Sequence, residues 1–198
     1  MLVRLRQEVQ EVPRRLTPPD PPLTDGVIRL QPLSSRDRAD AWRMAQDGDV
    51  ERFTYIPTGS DERWIAGWLE GYEKAWRDGS RAGFSIRDAE NDEFVGFVAI
   101  VRLDLDQQQG EIGYVVSQHA RGRGLAARAV DLVTRWGFDE VGLERLELRI
   151  DVANEASQRV AERAGYRLDG VLRSLAFKDG LRTDTSVWSR LPTDKLSA

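Results

Sequence analysis

Apolar and polar residues change their spacing several times along the chain, and each change predicts a switch between strand and helix. Val27-Ile-Arg-Leu30 predicts a short strand. Ser34-Ser35 then caps a helix running to about Gly48, with Asp37 in its first turn. The aromatic loop Phe53-Thr-Tyr-Ile-Pro57 leads to a second helix, Asp61 to about Asp78, capped by Ser60 and carrying Trp64, Trp68 and Trp76. Gly83 to Arg87, Glu93 to Leu103 and Gly110 to Val116 predict three strands, and the connections between them are short enough to make them antiparallel neighbours.

Beyond these strands the period lengthens. Leu125, Ala129, Leu132 and Trp136 fall on one side of a helix and Arg128, Asp131 and Arg135 on the other, which places an amphipathic helix against a sheet. Leu146, Leu148, Ile150 and Val152 alternate with charged residues and predict a strand buried on one face. A helix from Asn154 or Glu155 to Ala164, stopped by Gly165, precedes closing strands at Tyr166 to Leu172 and Thr183 to Leu191. The order is β-α-α-β-β-β-α-β-α-β-β, an α/β (α+β) arrangement. Thr17-Pro-Pro-Asp-Pro-Pro22 reads as an extended linker, so residues 1–25 form an arm, 26–192 the domain and 193–198 a tail.

Composition narrows the chemistry. Of 198 residues 40% are hydrophobic and 31% charged, as in a globular protein of one domain. A formal net charge of −4 disfavours a protein held to nucleic acid mainly by charge. The chain has no cysteine, so it offers no thiol nucleophile and no thiolate metal site, and only one histidine, His119. No apolar run approaches the roughly 20 residues of a membrane span, and the amino terminus lacks the apolar core of a secretory signal. A cytoplasmic location with no membrane or nucleic-acid partner is the expectation.

The segment His119-Ala-Arg-Gly-Arg-Gly-Leu-Ala126 carries the sharpest chemical signal. A glycine-rich turn at a helix start lets backbone N–H groups crowd around an anion. Taken alone it also fits a solvated turn or a basic nucleic-acid patch. It lacks the lysine and spacing of a Walker loop, and Ala127 stands where a dinucleotide-binding fingerprint needs its third glycine.

Arg121-Gly-Arg-Gly-Leu-Ala126, after the strand Glu111-Ile-Gly-Tyr-Val-Val116, resembles the acyl-coenzyme A signature of the GNAT superfamily of N-acetyltransferases. Asn154-Glu-Ala-Ser157 followed by Ala164-Gly-Tyr-Arg-Leu-Asp-Gly170 resembles its RimJ/RimL-like branch. The likeness runs from about Val27 to Leu191 and implies a GNAT-type mixed, mostly antiparallel twisted sheet flanked by helices. It implies acetyl-CoA as co-substrate with no metal, and a primary amine as acceptor, on a protein N-terminus or a small molecule. A homodimer is compatible with it.

Carried over residue by residue, the resemblance gives the pantetheine arm the backbone of Tyr114, Val115, Val116 and Ser117 and the side chain of Asn154. The pyrophosphate falls to the amides of Gly122, Arg123, Gly124, Leu125 and Ala126, with Arg121 and Arg123 beside the phosphates. The Val116 amide would polarise the thioester carbonyl, Glu111 would act as base through water, and Ser157 would protonate the thiolate. Tyr55 and Phe84, with Ile56, Pro57, Trp64 and Trp68, are candidates for the acceptor pocket, although at helical spacing the two tryptophans are more often core. An α-amine is easier to deprotonate than a lysine side chain by about 3 kcal/mol. Two departures stand out: Ala161 replaces a tyrosine acid common in relatives, and Ala176 an acidic residue of RimL-like members. These leave a non-catalytic acyl-CoA-binding sensor or assembly subunit as the alternative.

Overall fold

The computed structural model describes residues 16–194. They form one eight-stranded sheet in the order β1-β2-β3-β4-β5-β6-β8-β7, with β1 Leu23–Thr24, β2 Ile28–Pro32, β3 Ala82–Asp88, β4 Phe94–Asp104, β5 Gln109–Val116, β6 Arg145–Asp151, β7 Arg167–Lys178 and β8 Leu181–Arg190. Every neighbouring pair is antiparallel except β5 and β6. Parallel strands need a long crossover, here the helix α4, Leu125–Asp139.

Each face of the sheet has its own core. Phe84, Ile86, Val98, Ile100, Ile112, Leu146, Leu148 and Ile150 point to the face covered by α4 and by α5, Glu155–Arg163. Phe97, Ala99 and Val115 point to the other face, under α1 (Arg38–Ala45), α2 (Gly48–Phe53) and α3 (Glu62–Asp78). The period of two along β3, β4 and β5 thus decides which residues meet which helices.

Several expectations change in detail. The helix expected from Ser34 to Gly48 is broken into a 3-10 turn, Ser35–Asp37, then α1 and a separate α2. Asp47 causes the break, because its carboxylate accepts from the amides of Asp49 and Val50 and starts a new helix. The cap of α3 is Asp61, which accepts from the Trp64 amide at 2.7 Å, while Ser60 bonds back to Pro57. Leu23 and Thr24, expected within the arm, add an edge strand to β2, and Leu16 and Leu23 pack against the core of the α4 face. Residues 1–15 of the arm and 195–198 of the tail lie outside the described residues. The closing hairpin is longer than expected: β7 and β8 continue to a tight turn at Asp179-Gly180, both with positive φ (50° and 81°).

Candidate active site

The sheet opens in its middle. β5 pairs with β4 along its length, but meets β6 only over Gln109–Glu111 against Arg145–Glu147. Beyond Glu111 the two strands part, and one edge of β5 has no strand partner. Antiparallel pairing alternates the direction of backbone groups. The Ser117 amide donates to Val95 O at 2.9 Å, so the amides of Tyr114 and Val116 point into the gap and those of Val115 and Ser117 toward β4. Of the four residues expected to offer backbone to a pantetheine arm, Tyr114 and Val116 are therefore placed to do so. Val115 and Ser117 are spent on the sheet.

A cavity of about 990 Å³ passes through this gap. On the α4 and α5 face it is lined by Tyr114, Val116, Gly122, Gly124 and Ala126, and by Asn154 and Ser157 at the start of α5. Gly122 and Gly124 have φ of 78° and 75°, and Gly124 is the cap of α4. A Cβ at either position would meet nothing within 4 Å, so the glycines are required by backbone conformation and not by crowding. The turn presents the first amides of α4 to the cavity, and these suit a phosphate.

The arginines of the turn are engaged elsewhere. Arg121 pairs with Asp47 and Asp49, each at 2.9 Å, and donates from Nε to Val116 O at 3.2 Å. Burial alone would raise the Asp47 carboxyl, but Arg121 and the two capping amides outweigh it and hold it below the ordinary range. Arg123 pairs with Asp88 at 2.9 Å and does not line the cavity. Arg121 thus fastens the phosphate turn to α2. His119 is exposed beside Glu93, away from the cavity lining.

Asn154 caps α5, its Oδ1 accepting from the Ser157 amide at 3.1 Å. The phenol of Tyr114 donates to Ser157 O at 3.3 Å, and burial pushes its pKa up to about 12, so it stays protonated. The Tyr114 side chain joins the site beside Ser157, although only its backbone was expected there.

On the opposite face Glu111 lies at the point where β5 and β6 part. Its Oε2 is buried without a hydrogen bond, 3.4 Å from Arg102 and 3.5 Å from Arg149. Burial is the largest influence and raises the carboxyl; the two guanidiniums oppose it, Glu147 reinforces it, and the net direction is upward. A carboxylate short of hydrogen bonds in a cleft has the character of a proton acceptor.

Tyr55 is 75% exposed at the mouth of this side, with Trp64 and Trp68 stacked at 6.5 Å along the wall. Phe84 is a correction. It is fully buried on the other face, edge-on to Trp76 and Trp136, and the phenylalanines that line the cavity are Phe53 and Phe97. The parity of β3 explains this: Gly83 faces the α3 helix, where a Cβ would strike the Tyr72 ring, so Phe84 must face away. Lys178, at the tip of the closing hairpin, was not singled out in the sequence. Its ammonium donates to Glu51 O, Thr54 O and Ile56 O, tying that tip to the loop that carries Tyr55.

Residues 28–167 match the family described as acetyltransferase (GNAT) domain. The chain belongs to this family of N-acetyltransferases. It is 33% identical to the uncharacterized N-acetyltransferase YoaA of Bacillus subtilis (strain 168), over 84% of this chain and 93% of that protein. It is 26% identical to spermidine N(1)-acetyltransferase of Escherichia coli (strain K12), over 77% and 80%. Among solved structures, RimL, a ribosomal L7/L12 alpha-N-protein acetyltransferase in complex with coenzyme A, superposes with a TM-score of 0.77 at 16% identity, covering 86% of this chain and 96% of that one. The mixed sheet flanked by helices is thus the GNAT fold, with features consistent with the RimJ/RimL-like branch. No helix among the described residues is long and apolar enough to cross a membrane.

Proposed function

We propose that this protein moves the acetyl group of acetyl-CoA directly to a primary amine across the gap between β5 and β6. The observation that carries this is the continuity of one cavity through the sheet, with an anion-binding turn on one face and a buried, unbonded carboxylate on the other. Acetyl-CoA, when bound, supplies an activated thioester.

The amides of Gly122 to Ala126 hold the pyrophosphate, and those of Tyr114 and Val116 hold the pantetheine arm. The Val116 amide stabilises the oxygen that gains charge as the acceptor nitrogen bonds to the carbonyl carbon. Glu111 takes a proton from the amine through water. As the carbon–sulfur bond breaks, the Ser157 hydroxyl protonates the departing thiolate and recovers its proton from solvent, with Tyr114 fixing the first turn of α5. Relatives named spermidine N(1)-acetyltransferase and ribosomal-protein-serine acetyltransferase support both small amines and protein N-termini as acceptors. A cytoplasmic location and a homodimeric state belong to the same proposal.

Incubating the protein with acetyl-CoA and a panel of amines and N-terminal peptides tests it: thiol release that requires an acceptor is expected. Acetyl-CoA binding without thiol release for any acceptor would favour the non-catalytic sensor, and absence of binding would overturn both.

A further inference from the structure

Glu111 and Glu147 face each other in the last pair of the parallel β5–β6 pairing. Like charges directly opposite one another weaken a sheet, so a position that only held the strands together would suit an acid against a base. Leu146, Leu148 and Ile150 point into the core under α4 and α5, and the period of two sets Arg145, Glu147, Arg149 and Asp151 side by side on the acceptor face. There Glu147 is gripped on both oxygens. Its Oε2 accepts from Arg145 and its Oε1 from Nε of Arg149, each at 2.7 Å. Arg145 is itself braced by Asp169 at 2.8 Å, which accepts from Ser189 Oγ at 2.9 Å. The same Nε of Arg149 stops 3.5 Å from Glu111 Oε2, an oxygen buried with no hydrogen bond. Arg149 thus stands between two carboxylates and bonds to one.

The remaining charged and titratable groups on this side of the cavity are placed otherwise. Arg102, from β4, approaches the same Glu111 oxygen at 3.4 Å, with its side chain 63% exposed. Asp151, next along the face of β6, accepts from the Ala153 amide at 2.8 Å and has no ion-pair partner among the described residues. Asp49 pairs with Arg121, and Arg52 and Arg81 rest on the rings of Phe53 and Tyr72. Tyr55, from the loop after α2, lies near Arg149. Burial works against the charge of Arg149, but the hydrogen bond to Glu147, then the charges of Glu147 and Glu111, outweigh it and hold the guanidinium above its ordinary range. Glu147 is therefore the acid that owns Arg149, and Glu111 is the acid within its reach.

We propose that Glu147 is a positioning residue of the transfer, withholding Arg149 from Glu111 so that the base is left without a hydrogen bond and free to take the proton of the amine. A carboxylate that accepts a hydrogen bond from a guanidinium holds a proton less tightly, and Glu111 bonded in that way would be a weaker base. Two acids set opposite each other, with one arginine given wholly to the second, keep the first one basic. This rests on Glu111 acting as the base of the acetyl transfer proposed above.

The test follows the Glu111 carboxyl by NMR titration of protein labelled with carbon-13 at its glutamate carboxyls, the resonance being assigned by its loss in Glu111→Gln. In Glu147→Gln, which keeps the shape of the side chain, Arg149 is released to Glu111, and the proton affinity of Glu111 should fall by about tenfold or more. Part of that fall is the lost charge of Glu147 itself. The same substitution in an Arg149→Gln background measures that part alone, and a fall of about threefold or less is expected there. Equal falls in the two backgrounds, or no fall in Glu147→Gln, would overturn the inference. No acceptor and no turnover enter this titration, so its outcome is separate from that of acetyl transfer. In the pH–rate profile of Glu147→Gln the acid limb should move to lower pH together with the titration midpoint, because Glu111 must lose its proton to act. A limb that stays in place while the carboxyl titration moves would show that Glu111 is not the base, and would overturn the reading on which the inference rests.

Discussion

Burial holds the Glu111 carboxyl above its ordinary range, and Arg102 and Arg149 offset this only in part. The folded protein therefore binds the Glu111 proton more tightly than the unfolded chain. Between the ordinary value of 4.5 and the raised folded value, stability falls as pH rises, and at neutral pH the fold bears the full cost of a buried charge. Glu111→Gln should raise the thermal midpoint at pH 7, lower kcat about a hundredfold or more, and remove the acid limb of the pH–rate profile. Unchanged kcat would return Glu111 to a structural role. A second contrast concerns the phosphate turn. Gly124→Val forces a branched side chain into a positive φ, at a cost of roughly 1–3 kcal/mol that would weaken CoA binding about tenfold or more. Arg123→Gln only releases Asp88 and should change affinity by no more than about twofold. Calorimetric titration with CoA separates the two, and the reverse order would make the turn an ordinary charged loop. Phe84→Ala should cost about 3–5 kcal/mol of stability in a denaturant melt, as a buried aromatic does. An acceptor KM change without lost stability would restore Phe84 to the pocket.

At the scale of elements, the chain's patterning revealed where strands and helices lie more readily than which way they face. The alternation along β6 and the stripe on α4 were legible because each buries a single face. Phe84 was misplaced although Ser85 and Arg87 alternate with Phe84 and Ile86, because β3 is buried on both faces and the alternation does not say which face meets the acceptor side; Gly83 under Tyr72 shows it. The split of the first helix was readable in principle from Asp47-Gly48, a cap hidden within an otherwise helical run. Asp179-Gly180 is likewise a strong hairpin signal. What it brings together was not readable, because the Lys178 ammonium contacts carbonyls more than 120 residues away. That contact joins the hairpin to the aromatic loop at the acceptor mouth. Lys178→Met should leave three carbonyls without their donor and loosen the loop, raising acceptor KM severalfold on the scale of one or two lost charged hydrogen bonds, about 1.5–3 kcal/mol each at most. CoA affinity should hold, since the phosphate turn is anchored separately by Arg121. Weakened CoA binding in titrations of this variant would show that the hairpin supports the whole site.

Across the whole molecule, the gap that makes the site also divides the sheet. β1 to β5 form one antiparallel half and β6, β8 and β7 the other, joined by a parallel pairing of only three residues and by α4 packed across both. A ligand lying in the gap would contact both halves: the free edge of β5 and the start of α4 on one side, the start of α5 on the other. Binding confined to the folded state should therefore strengthen the joint itself as well as shift the unfolding equilibrium. At a hundred times its dissociation constant a ligand adds about 2.7 kcal/mol, and for a chain of this size each kcal/mol moves the midpoint by roughly 2–4 °C. Acetyl-CoA should accordingly raise the thermal midpoint by about 5–11 °C. Hydrogen exchange should show where the gain arises, with slowed exchange at Tyr114 and Val116, while Val115 and Ser117, already bonded to β4, change little. With binding about tenfold weaker, Gly124→Val should lose about half of the thermal shift at the same acetyl-CoA concentration, and the Tyr114 and Val116 protection should fall with it. Protection spread evenly over β5, or an undiminished shift in Gly124→Val, would place the ligand outside the gap.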